Sequence, residues 1–73
     1  MSYKPTTVPV ERLRVGDTVA VWWRPGRDTV TAIRPYRGRL ACMLGGFVVE
    51  FALWRIGMTA EPGLPFHLLV RSR

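Results

Sequence analysis

Glycine or proline interrupts this chain about every eight to twelve residues, and no segment between them carries sustained helical periodicity. That spacing restricts the chain to short strands joined by tight turns, as in an all-β sandwich or barrel. Its 73 residues leave room for one domain, residues 1–73. A chain of this size buries roughly 60–65% of the surface its unfolded state exposes. A core that thin supplies about 3–5 kcal/mol of net stability. A hydrophobic share of 48% against 22% charged residues still places it among folded chains.

Pattern within the segments supplies the strands. VPVERL comes first, with Pro9 suited to an edge strand. RVGD then turns, Gly16 being free to take a positive φ and Asp17 able to bond its own backbone. DTVAVWW alternates cleanly: Val19, Val21 and Trp23 share one face, Thr18, Ala20 and Trp22 the other. Adjacent strand residues point to opposite faces, so the two tryptophans cannot enter the same core. Trp23, in phase with the valines, is the core residue, and Trp22 points outward.

RPGRD reads as a connection in which Asp28 is a turn residue. In TVTAIRPY, Val30 and Ile33 stand three apart, which a regular strand would send to opposite faces. A β-bulge near Thr31 or Ala32 brings both to the core, and Pro35 ends or edges the strand. RLACML makes the next strand, followed by a Gly45-Gly46 hairpin and FVVEFALW. There Phe47, Val49, Phe51 and Leu53 form the apolar face, with Glu50 and Trp54 outward. RIGMTAEPGLP reads as irregular, and FHLLV closes the chain with Phe66, Leu68 and Val70 inward and His67 outward.

Five to six short antiparallel strands fit a small closed or half-open barrel, because closure removes exposed strand edges. The stretch GDTVAVWWRPGRDTVTAI resembles the Gly-Asp-x-Val-x-Val opening of KOW-type and other SH3-like barrels, through Gly16, Asp17, Val19, Val21, Val30 and Ile33. The likeness covers about a quarter of the chain, and Asp28-Thr29 stands where a KOW element has a further glycine. It implies a small SH3-like barrel. The whole chain, through LRVGDTV, VTAIRPYRG and GMTAEPG, also resembles short Arg-rich proteins of actinobacteria and their phages, which implies an accessory role in such a setting.

Chemistry is sparse. The single Cys42 excludes an internal disulfide and reads as a small buried hydrophobe. One Cys, one His and five scattered acids give no pair at metal-ligand spacing, so no metal or cofactor is expected. Ser2 and Ser72 lie at the ends, no acid adjoins His67, and no Gly-rich loop precedes a helix, so catalysis is not expected. MSYKPTT has no apolar signal-peptide core and reads, over residues 1–7, as a loosely ordered arm. The run Leu40–Val49 is about half the length of a membrane span and contains Gly-Gly. A cytoplasmic protein follows, in the host cytoplasm if phage-encoded.

The charge is the remaining signal. The net +6 comes from eleven basic residues, all arginine except Lys4, against five acids. That favours an anionic partner, nucleic acid first. GC-rich codon usage explains an arginine bias equally well. The candidate nucleic-acid or partner surface is Arg24 and Arg27 around the first hairpin loop, Arg34, Tyr36, Arg37 and Arg39 around the second, and the outward Trp22 and Trp54. Arginine forks hold phosphates and an exposed aromatic face stacks on bases. The rival expectation is a host protein or a homodimer held through the Trp22/Trp54 surface, since tryptophan and arginine dominate interface energetics. The plainer alternative is that the arginines serve solubility and the chain's own loops cover Trp22.

Overall fold

The computed structural model describes residues 6–37 and 45–72. Among the described residues lie six antiparallel strands: β1 (Thr6–Pro9), β2 (Thr18–Ala20), β3 (Arg27–Pro35), β4 (Phe47–Phe51), β5 (Met58–Ala60) and β6 (Pro65–Val70). A 3-10 turn, Val10–Arg12, follows β1. The strands form one sheet in the order β1-β6-β2-β3-β4-β5. The expected barrel is therefore not closed by hydrogen bonds, and among the described residues β1 and β5 are the outer strands.

Connection length nevertheless forces the sheet to curl. β5 and β6 stand four strand spacings apart, about 19 Å in a flat sheet. Residues 61–64 join them, and the Leu64 amide donates to the Glu61 carbonyl at 3.1 Å, so the connection folds into a turn. A turn that tight spans well under that distance. The sheet bends back, and Val8 of β1 and Ala60 of β5 enter the same core as Val10, Leu13, Val19, Val30, Val49, Phe51, Phe66 and Leu68. Every strand contributes to this core. Each large apolar side chain fully buried there is worth about 1.5–3 kcal/mol.

β3 is the hinge of the curl. Its first residues pair with β2 (Thr18 opposite Thr29), and its later residues pair with β4 (Val30 opposite Phe51). The register with β4 shifts between Val30 and Ala32, which is the bulge expected from the three-residue spacing. Val30 is buried, and Ile33 packs against the core from the same side. The strand ends at Pro35, as its missing amide dictates.

Other expectations need correction. β2 stops at Ala20 rather than Trp23, although the alternation of faces persists to Trp23. The hairpin connection is Val21–Gly26, closed by the Val21 amide on the Gly26 carbonyl at 3.0 Å, so Arg27 and Asp28 belong to β3. Asp28 is a buried strand residue, not a turn residue. β4 ends at Phe51, and Leu53 turns outward, 62% exposed. Met58–Ala60, read as irregular, is strand β5. Phe66 and Leu68 face the core with His67 outward, but Val70 is exposed where β6 ends. The strand expected over 39–44, with Cys42, lies outside the described residues. β4 itself pairs with β3 on one side and β5 on the other.

Candidate interaction surface at the tryptophan hairpin

The tip of the β2–β3 hairpin presents a tryptophan to solvent. Trp22 is 75% exposed. Its ring sits edge-to-face against Trp23, with centroids 4.9 Å apart and planes at 84°. Trp23 in turn stacks on Trp54 at 4.9 Å and 28°, and meets Phe51 of the core edge-on at 5.1 Å. The solvent-facing indole therefore rests on an aromatic column that reaches the core. Aromatic pairs of this geometry add about 0.5–1.5 kcal/mol each beyond their buried area.

Asp28 fixes the column. Its carboxylate accepts the Trp23 Nε1–H at 2.9 Å, the Thr29 amide at 2.8 Å, the Leu53 amide at 3.0 Å and the Trp54 amide at 3.0 Å. Burial alone would raise the carboxyl's pKa and is the largest single influence. The bonds from Leu53, the Trp23 indole, Trp54 and Thr29 together outweigh it and hold the group below the ordinary carboxylate value. Strand β3 is thereby tied to the turn after β4, which places Trp54 against Trp23. Trp54 also donates Nε1–H to the Gly57 carbonyl at 3.1 Å. Gly57 needs its φ of +82°, and a Cβ there would press on the Val49 carbonyl at 3.1 Å.

The candidate residues fall into two groups. Trp22, Arg24 and Arg27 lie at the hairpin end, and Trp54 joins them through the stack, half-buried rather than outward. Arg34, Tyr36 and Arg37 lie at the far end of β3, seven residues from Arg27 to Arg34, or about 20 Å at strand rise. Arg34 is further engaged by Glu50, Nη2 to Oε1 at 3.3 Å. Tyr36 is half-buried, with its amide on the Gly46 carbonyl at 2.8 Å. The two loops thus do not converge. Arg39 lies outside the described residues.

The Trp54 turn adds neighbours that sequence reasoning missed. Arg55 is exposed, and Ile56 and Leu53 are 86% and 62% exposed. Leu53 also lines an open groove of about 320 Å³ with Thr18, Pro25, Arg27, Thr29 and Val70. The signal that could have found them was Trp54-Arg55-Ile56-Gly57, a glycine-closed turn beside the tryptophan. Among the described residues no three His, Cys, Asp or Glu side chains come together as a metal site. No helix there is long and apolar enough to cross a membrane. Comparison with protein-family models, curated proteins and solved structures finds no match.

Proposed function

We propose that this chain is a non-enzymatic binding protein, a half-open SH3-like barrel that contacts nucleic acid through its hairpin end. The observation that carries the reading is the exposed Trp22, held on the Trp23–Trp54 column beside Arg24 and Arg27. A pre-set indole stacks on a base without losing much side-chain freedom, and flanking guanidiniums hold the neighbouring phosphates. The Asp28 carboxylate at this end is buried and bonded to the chain's own donors, so it does not face a bound phosphate. The SH3-like assignment is supported by the run β6-β2-β3-β4-β5, with β3 shared between two pairings and a short β5–β6 turn. A cytoplasmic accessory role, bacterial or phage, goes with this reading.

The test is tryptophan fluorescence titrated with random-sequence single-stranded and duplex DNA at low and moderate salt. Phosphate contacts by Arg24, Arg27 and Arg55 give a slope of about −2 in log affinity against log salt for a single strand. Trp22→Ala abolishes the response, while Arg34→Gln leaves it unchanged. No response at low salt ends the nucleic-acid reading. A second reading, a protein partner or self-association, is favoured by the exposed Leu53 and Ile56 beside Trp54. It predicts salt-tolerant association lost on Ile56→Ser.

A further inference from the structure

A second group of arginines converges where the 3-10 turn meets the end of β6. The 3-10 turn ends at Arg12, and Leu13 follows in extended conformation, φ −72° and ψ 143°. Leu13 is buried, so Arg12 and Arg14 on either side of it project together toward solvent. Arg71 arrives from the end of β6 and donates Nη2–H to the Arg12 carbonyl at 3.0 Å. All three line one open pocket of about 440 Å³ with Val8, Glu11 and Leu13.

The arrangement is held from beneath by a carboxylate. Asp17, fully buried, accepts the Arg14 amide at 2.9 Å and the Ser72 amide at 2.6 Å, and its Oδ2 lies 4.0 Å from Arg71 Nε. One acid therefore positions the backbone of Arg14 and the guanidinium of Arg71. Glu11 lines the pocket too, its oxygens held by the Gly63 amide at 2.9 and 3.0 Å, and the three guanidiniums still outnumber the two acids, Glu11 and Asp17. Arg12 and Arg14 have no carboxylate within salt-bridge distance among the described residues.

We propose that Arg12, Arg14 and Arg71 form a phosphate-binding pocket, separate from the tryptophan hairpin. Three guanidiniums on one concave surface, one of them anchored, suit the several oxygens of a phosphate through charge-assisted hydrogen bonds. The phosphate belongs either to a small phosphate ester or to a nucleic-acid backbone.

Titration of the isotopically labelled chain with inorganic pyrophosphate, at ionic strength held constant with chloride, tests this by amide shifts. The expected result is saturable movement of Arg12, Leu13, Arg14, Arg71 and Ser72. Arg14→Gln, which removes no hydrogen bond seen between its side chain and the described residues, weakens binding about tenfold with an unchanged melting temperature. Trp22→Ala leaves it unaffected. Unsaturable shifts spread equally over Arg24, Arg27 and Arg55, or an Arg14→Gln chain that binds as well as the parent, overturn the proposal. So does loss of pyrophosphate binding on Trp22→Ala. With saturation established, displacement of pyrophosphate by a short oligothymidylate assigns the phosphate to a nucleic-acid backbone, and its failure to displace assigns a small phosphate ester. Failure of pyrophosphate together with binding of DNA at Trp22 leaves the hairpin reading intact.

Discussion

Two buried carboxylates hold this molecule together at two places, and they do so differently. Asp28 is surrounded by neutral donors, an indole N–H and three backbone amides, two of them from residues 25 and 26 positions later in the chain. Asp17 takes two amides, one of them from Ser72 at a separation of 55 residues, and has a guanidinium at 4.0 Å. Asp28 sits inside a fully committed cluster. Asp17 sits under the exposed Arg71 and the half-buried Ser72. A sheet whose edges never meet has no ladder to close it, and these carboxylates supply the long-range ties instead. The tie that gathers more donors from the chain should be the less replaceable one.

Asp28→Ala gives the largest effect. It strands several buried donors, each costing about 1–3 kcal/mol, against a total near 3–5 kcal/mol for a core of this size. The variant should lack a cooperative thermal transition, read by near-ultraviolet circular dichroism. Asp28→Asn sharpens the point: both oxygens accept, so the new NH₂ must face a donor, and it should melt well below the parent. Asp17→Ala should cost less, about 2–3 kcal/mol, because Ser72 and Arg71 can turn to water. Fast amide exchange at Ser72 with a folded core is the expected signature, and an unfolded Asp17→Ala chain would erase the contrast.

The acid limb tests the Asp28 tie by a second route. Asp28 binds its proton more weakly in the folded chain than in the unfolded one. Its contribution is fully present above the unfolded carboxylate value of about 3.9 and is lost as pH falls from there through the lower folded value. Melting temperatures measured across that window should fall with pH in the parent and fall less steeply in Asp28→Asn. The smallest stability effect belongs to Trp22→Ala, about 0.5–1 kcal/mol for its one edge-to-face pair, since the ring is otherwise mostly exposed. A drop above 1 kcal/mol would mean that Trp22 braces the column rather than merely resting on it.

How far the sequence could be read follows the range of each interaction. The faces of β2, the bulge near Thr31 and the outward His67 were legible, because side-chain alternation is set within a few residues. Asp28 was not, because proximity to Pro25-Gly26 reads as turn chemistry while its decisive donors lie far along the chain. Simple alternation sends Leu53 and Val70 inward, but Leu53 lies past the end of β4 and Val70 follows a register shift between β6 and β2 at Thr18/Val19. β5 is three residues long, too short for a pattern to show. For the candidate surface, the alternation placed Trp22 outward, but the separation of Arg27 from Arg34 depends on β3 being one long strand. The Arg12, Arg14 and Arg71 group joins segments far apart in the sequence, which no local pattern reports.

The bulge in β3 also couples the lengths of two distant segments. Removing Thr31 would place Val30 and Ile33 two apart in a regular ladder, so every side chain would keep its face. What would go is the extra bend and twist that a bulge gives its strand. A straighter β3 opens the sheet and moves β5 away from β6, while residues 61–64 have no slack to follow. A gene that lost residue 31 would therefore need to gain residues between β5 and β6, and the two changes should be found together among descendants of this chain.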